Sequence, residues 1–133
     1  MSLVLLDVIL AILVFMTFTG RVGLARVKFG IDAPATSGNP EFERHFRVQQ
    51  NTLEQLIVFI PAILIFAYSA ESIAWPGHKI ASVLGIIWVL ARLYYGFSYV
   101  RDPKSRGAGF VIAFLCSAFM VLGSLVALFI SLT

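Results

Sequence analysis

Four long apolar segments dominate this chain of 133 residues. They cover Leu3–Gly20, Leu56–Ala70, Ile80–Val100 and Gly107–Thr133. The first contains a single charge, Asp7, and the third contains only Arg92. A helix needs about 20 mostly apolar residues to cross roughly 30 Å of hydrocarbon. The first and fourth segments meet this requirement alone, whereas the second and third meet it only if their helices include polar residues at one end.

The composition supports a membrane location. Apolar residues make up 59% of the chain and charged residues 13%, against about 45–50% and ~25% in soluble domains. So few charges cannot cover the surface of a soluble protein, which excludes a soluble globular enzyme, a disordered chain and a nucleic-acid-binding domain. The net charge of +3 comes from short loops between apolar runs, a pattern typical of membrane proteins. We therefore predict an all-α integral membrane protein whose partners include lipids and no nucleic acid.

The turn signals divide the chain into four helices. We expect one transmembrane domain, 1–133, with helices over about 3–29, 40–70, 78–100 and 106–131. The first is a retained helix rather than a signal peptide, because its basic residues follow the apolar run. Asn39-Pro40-Glu41 is a helix start, with an N-cap, a proline at the first helical position and an acid in the first turn.

Basic residues lie at one end of the predicted bundle. Eight Lys and Arg residues flank the loops between helices 1 and 2 and between helices 3 and 4, whereas only Lys79 lies at the opposite end. The positive-inside rule then places both basic loops in the cytoplasm. The short loops and the lack of a C-terminal tail favour a bacterial inner membrane, with a functional site towards the cytoplasm.

Polar residues form ladders at helical spacing in the second and third helices. One stripe of helix 2 contains Arg44, Arg47, Asn51 and Glu54. A second stripe, expected roughly opposite, contains His45, Gln49 and Thr52. The ladder of helix 3 contains Trp88, Arg92, Tyr95 and Tyr99.

Ionised groups at membrane depth cost at least ~2.5–3.5 kcal/mol, and they normally face a bundle interior or a water-filled cavity. The simplest interpretation is that Arg47 and Glu54 pair with each other or with Arg92 to hold the helices together. That pairing leaves an excess of arginine, with Arg92 as one of the unbalanced charges. Because arginine binds carboxylates through a bidentate fork, the excess favours a site for a small anion that carries carboxylates.

Two motifs carry a resemblance to a known family. The runs NPEFERHFRVQQNTLEQ at 39–55 and ARLYYGFSYVR at 91–101 resemble helix 2 and the end of helix 3 in the MAPEG superfamily, the membrane-associated proteins in eicosanoid and glutathione metabolism. The resemblance covers essentially the whole chain. It implies a four-helix membrane bundle that forms a homotrimer, with glutathione as co-substrate in sites between protomers.

The resemblance also implies roles for individual residues. Glutathione would be held by Arg47, Asn51 and Glu54 of helix 2 and by Tyr95 and Tyr99 of helix 3. Arg92, one of the unbalanced charges, is a further candidate for glutathione binding. Arg106 matches the family's arginine that stabilises the thiolate, and it is the catalytic candidate. Arg26 and Gln49 match positions that contribute from the neighbouring protomer. Gln49 lies about 200° around the helix from Arg47, so it cannot easily serve the same pocket as Arg47 from the same chain.

This sequence departs from the family pattern at three positions. Gln55 stands where a family member has Tyr, and Val27 replaces a second Arg on helix 1. Gly107 stands where the family's prostaglandin synthase has Ser, which argues against prostaglandin isomerase chemistry.

The resemblance implies that the protein is a glutathione transferase. It would activate the glutathione thiolate for conjugation to hydrophobic electrophiles or for reduction of lipid hydroperoxides. Two alternatives remain open: a non-catalytic lipid-binding member of the family, and a small anion transporter or channel subunit. The chain has too few His, Cys and acidic residues for a metal site, and we interpret Cys116 as a packing residue.

Overall fold

The computed structural model describes all 133 residues and contains four α-helices. They are α1 (Ser2–Phe29), α2 (Pro40–Glu71), α3 (Gly77–Arg101) and α4 (Gly107–Leu132), and a 3₁₀ turn over Pro103–Arg106 precedes α4. The predicted all-helical fold is confirmed. Each helix is long and apolar enough to cross a membrane, so the chain is an integral, multi-pass membrane protein.

Capping residues fix the end of α1 and the start of α2, on either side of the loop that joins these two helices. The Asn39 side chain accepts hydrogen bonds from the backbone N–H groups of Glu41 and Phe42, and Pro40 is the first residue of α2. At the end of α1, Gly30 takes the left-handed conformation at φ 62° and its N–H bonds to the Arg26 carbonyl. These contacts satisfy terminal backbone groups that would otherwise lack partners inside the helix.

The bundle core is aromatic at its centre and rich in small residues where helices come closest. Phe59 of α2 stacks on Trp88 of α3 with 4.1 Å between ring centroids. Phe18 of α1 lies against Gly96 of α3 so closely that a Cβ there would meet the phenyl ring at 2.2 Å. Small residues allow membrane helices to approach closely when lipid supplies no hydrophobic driving force.

A close backbone contact joins α3 to the start of α4. A Cβ on Gly109 would lie 2.7 Å from the Ala91 carbonyl oxygen and 2.8 Å from the Tyr95 backbone nitrogen. Both neighbours are main-chain atoms, so they cannot rotate away as a flexible side chain could. Gly109 therefore sets the distance between the two helices beside Tyr95.

We expect Gly109→Ala to destabilise the protein by about 1–3 kcal/mol, the usual cost of overpacking a close contact. Gly23→Ala is the matched control, because Gly23 lies within α1 with no atom near the position of its Cβ. That change should be neutral or stabilising by up to ~1 kcal/mol, since alanine favours helix more than glycine does. Thermal unfolding in detergent measures both, and equal effects would show that α3 and α4 are not in close contact.

Candidate functional site

A cavity lies between α2, α3 and the start of α4, next to the 3₁₀ turn. Its volume is 290 Å³. The lining residues are Arg47, Asn51, Tyr95, Arg106, Gly107, Phe110 and Val111. Four of the side chains predicted to form a site thus converge on one space, although they are far apart in the sequence.

The length of α2 places this cavity near the membrane boundary. With 32 residues at 1.5 Å each, the helix is about 48 Å long, well beyond the roughly 30 Å of hydrocarbon. If the hydrocarbon boundary at the far side lies at Glu71, the apolar core needs only about 20 residues of this helix and reaches Asn51. Arg47 then lies in the interfacial region, where a charged ligand can enter from water.

The α2 wall is a short network of polar groups. The Asn51 Nδ2 group donates to Glu54 Oε2 at 3.1 Å, and Arg47 Nη1 lies 3.5 Å from Glu54 Oε1. About half of the Arg47 and Glu54 side-chain surface is exposed, so this ion pair contributes little to stability. Both groups remain free to exchange their mutual contact for contacts with a ligand.

Arg44, the first member of the predicted stripe, has another role. Its Nη1 donates to the backbone carbonyl of Val100 at 3.1 Å, and it does not line the cavity. This bond ties the polar end of α2 to the last turn of α3.

The α3 wall is a column of two rings between two guanidinium groups. Tyr95 and Tyr99 stack with 5.7 Å between centroids and 15° between planes. The Arg92 guanidinium lies 4.1 Å from the centre of the Tyr95 ring, and that of Arg106 lies 5.8 Å from the Tyr99 ring. Cations over aromatic faces are attracted to them, so the column orients Arg106 at the edge of the cavity.

Arg92, which is predicted to contact the ligand, does not reach the cavity in this structure. Its side chain is fully buried, at 0% exposure, and it does not line the cavity. The ladder of α3 faces α2, so Arg92, about one turn deeper than Tyr95, meets Asn51 and Thr52 instead of a ligand. Its Nη2 donates to Thr52 Oγ1 at 2.7 Å and to Asn51 Oδ1 at 3.1 Å.

Thr52 was assigned to the wrong face of helix 2. It is fully buried and bonds to Arg92 inside the protomer, whereas the prediction grouped it with His45 and Gln49 on an opposite stripe. At 100° per residue, Thr52 is only 100° around the helix from Asn51. The side of α2 that carries both residues faces α3, where both accept hydrogen bonds from Arg92.

Two predicted residues adjoin the cavity without lining it. Glu54 holds Arg47 and Asn51 as described above, and Tyr99 stacks between Tyr95 and Arg106. Both contact residues that line it.

Arg26 and Gln49 lie away from this cavity. The Arg26 guanidinium donates to the Ala35 carbonyl at 2.8 Å and packs over the Phe42 ring. Gln49 accepts a hydrogen bond from Gln50 at 2.9 Å. Their contribution to the site of a neighbouring protomer stays a prediction.

The α4 wall of the cavity contains residues that were not predicted from the sequence. Gly107, Phe110 and Val111 line the cavity on the side opposite the polar network. Their positions follow Arg106 at one, four and five residues, so helical periodicity counted from Arg106 is the signal that would have found two of them. They give the cavity one apolar wall beside its two guanidinium groups.

This arrangement suits an anion that must meet an apolar molecule. Arg47 and Arg106 offer fixed positive charge, Asn51 and Tyr95 offer neutral hydrogen bonds, and the α4 wall continues into the lipid-facing surface of exposed Val111. Guanidinium groups bind carboxylates and also stabilise other anions, such as thiolates.

The chain is similar to several known proteins. The chain is 39% identical over 119 residues to an uncharacterized protein of Synechocystis sp.. The matched region covers 90% of this chain and 82% of that protein. It is 37% identical over 94 residues to microsomal glutathione S-transferase 2 of Homo sapiens, covering 70% of this chain and 59% of that protein. It is 33% identical over 98 residues to leukotriene C4 synthase of Rattus norvegicus, covering 74% and 61%.

The chain thus spans about three fifths of the length of these two named relatives. The model of the MAPEG family matches residues 4–126, nearly the whole chain. All four helices and every residue that lines the cavity lie within or overlap the matched region. The chain belongs to the MAPEG family.

Proposed function

We propose that this protein is a glutathione-dependent membrane transferase that binds glutathione in the cavity between α2, α3 and α4. The observation that carries the proposal is the convergence of Arg47, Asn51, Tyr95 and Arg106 on one cavity with an apolar wall. The similarity to proteins named glutathione S-transferase and leukotriene C4 synthase supports glutathione as the anionic substrate.

The chemistry of glutathione matches the polar wall group by group. It carries two carboxylates, an ammonium group and a thiol. Arg47 is suited to a carboxylate and Glu54 to the ammonium, and Asn51 supplies a neutral donor. The exchangeable pair of Arg47 and Glu54 can separate to take opposite charges on the ligand, at small cost because both are half exposed.

Arg106 is the residue that activates the thiol. A free thiol has a reference pKa near ~8.5, and a nearby cation stabilises the thiolate and lowers that value. In the reaction the thiol proton passes to water, and the sulfur electron pair forms a bond to an electrophilic carbon of the second substrate. A bond at that carbon breaks at the same time. Its electron pair goes to the departing group, or to the ring oxygen when the substrate is a cyclic ether whose ring opens.

A hydrophobic second substrate would reach the sulfur from the bilayer along Phe110 and Val111. Where this substrate is a lipid hydroperoxide, two glutathione molecules are oxidised to their disulfide and the hydroperoxide is reduced to an alcohol and water. Both reactions need the same thiolate, so the proposal covers transferase and peroxidase turnover.

We also propose that the working unit is a homotrimer in which each site lies between protomers. A volume of 290 Å³ lies at the lower limit of the ~300–1,000 Å³ usual for small-molecule sites. One chain therefore supplies only part of the wall for a tripeptide together with a lipid. Arg26 and Gln49, on another face of the bundle, would complete the site of the next protomer.

The basic loops support a cytoplasmic position for the cavity. Arg47 and Arg106 lie at the end of the bundle that carries eight of the ten Lys and Arg residues, the cytoplasmic end by the positive-inside rule. The similarity to a Synechocystis protein is in keeping with a bacterial inner membrane.

Arg47→Ala should weaken glutathione binding about 10- to 150-fold, because a hydrogen bond to a charged group contributes ~1.5–3 kcal/mol. Gln55→Ala is the matched control, since Gln55 is on the same helix and outside the cavity lining, and it should change affinity less than threefold. Calorimetric titration of the detergent-solubilised protein measures both. Equal losses would mean that the cavity is not where glutathione binds.

Arg106→Gln should raise the pH at which bound glutathione ionises by one to two units, towards the ~8.5 of a free thiol. Turnover at pH 7 should then fall roughly 10- to 30-fold, because the ionised fraction approaches the few per cent of a free thiol, and it should partly recover at higher pH. The ultraviolet absorbance of the thiolate, titrated in glutathione-saturated protein, measures the shift. Arg101→Gln removes the same charge at the nearby end of α3, outside the cavity lining, and should leave the titration unchanged. If both variants titrate like the wild type, Arg106 does not activate the thiol.

The protein should have the mass of three chains in mild detergent, and it should bind glutathione only in that form. Mass determination with correction for bound detergent, combined with titration of each separated species, tests this. A monomer that binds glutathione as tightly as the trimer would contradict a site between protomers.

A further inference from the structure

Arg92 is the one completely buried charged side chain of α3. It lies outside the cavity but contacts residues that line it. Its Nη2 donates to Thr52 Oγ1 at 2.7 Å and to Asn51 Oδ1 at 3.1 Å. Its guanidinium covers the inner face of the Tyr95 ring at 4.1 Å. Both Asn51 and Tyr95 line the cavity, so Arg92 contacts two of its walls from behind.

A purely structural anchor would not need this charge. Arg92 forms none of the three ion pairs in the structure, and its Nε and Nη1 atoms are buried without a hydrogen-bond partner. A buried, unpaired charge is costly, and apolar side chains of similar volume commonly hold helices together as well or better. The contact with Asn51 offers a reason for the arginine.

Arginine has donors only, whereas the asparagine side chain has an oxygen that accepts and a nitrogen that donates. The atom that Asn51 presents to Arg92 must therefore be Oδ1, and its Nδ2 group is forced to the other side. In the structure that group donates towards Glu54 Oε2 at 3.1 Å, at the edge of the cavity. Without Arg92, the amide could rotate and present either atom to a ligand.

We propose that Arg92 is a positioning residue that fixes Asn51 as a hydrogen-bond donor to the ligand and holds the Tyr95 ring in place. This inference rests on the proposed function of the cavity. The orientation makes the site specific for a ligand that presents an acceptor, such as a peptide carbonyl or a carboxylate oxygen, to Asn51. Thr52 supplies the second acceptor that keeps the guanidinium plane fixed.

The test is a double-mutant cycle. Its readout is the dissociation constant of glutathione, measured on the detergent-solubilised form, trimer or monomer, that binds glutathione. Asn51→Ala and Arg92→Met should each weaken binding about 5- to 30-fold, the range for loss of one hydrogen bond to a polar ligand group. The double variant should bind no more than about twofold more weakly than the weaker single variant, because both changes remove the same donor. Losses that multiply would overturn the positioning role, since a general effect on packing is not coupled to Asn51.

A second variant keeps Arg92 in place in case Arg92→Met does not fold. Asn51→Asp retains an oxygen for Arg92 and removes the Nδ2 donor, so it should fold and should also lose at least fivefold in affinity. Wild-type affinity in Asn51→Asp would overturn the inference. Wild-type protein that takes up no glutathione would overturn the proposed function itself, whereas wild-type binding with multiplying losses overturns only the role of Arg92.

Discussion

The hydrogen bonds from Arg92 to Asn51 and Thr52 are the contact on which the site depends. They join α2 to α3 at the depth where the polar half of α2 meets the hydrocarbon. A charge buried at this depth must have partners, so these helices have few alternative registers. With the register set, Tyr95 stands against Asn51 on the cavity wall, and the ring column extends from Tyr95 through Tyr99 to Arg106.

The close contact at Gly109 fixes the position of α4 relative to α3. Because α4 approaches the backbone of α3 beside Ala91 and Tyr95, its first turn brings Gly107 and Phe110 to the cavity. A larger residue at Gly109 would move the start of α4 outwards and carry Arg106 with it. The distance between Arg106 and the α2 wall is thus a consequence of helix packing, not of the loop alone.

Much of the fold could be predicted from the sequence, because membrane insertion and helix capping act on local residues. The apolar runs located the four helices, and Asn39-Pro40 located the start of α2. The family resemblance and the spacing of Arg47 and Asn51 identified half of the cavity wall. Which neighbour each helix face meets depends on packing between helices, so the sequence did not show that Thr52 and Arg92 meet each other.

The residues of α4 were missed for a related reason. Phe110 and Val111 are apolar residues in an apolar helix. Their residue types therefore do not show whether they line a cavity, as they do here, or face lipid. Only the position of Arg106, set by the 3₁₀ turn over Pro103–Arg106, determines which side of α4 faces Tyr95.

Exposure has different meanings for the polar and apolar residues of this bundle. Exposed apolar residues of α2, such as Ile57 and Ile65, need no further explanation, because lipid or another protein chain can cover them equally well. Arg47 and Glu54 are also about half exposed, but charged groups at the edge of the hydrocarbon require water or a polar partner. The open side of the cavity is therefore where a polar ligand replaces water, and the apolar wall of α4 is where a lipid-soluble molecule can meet that ligand.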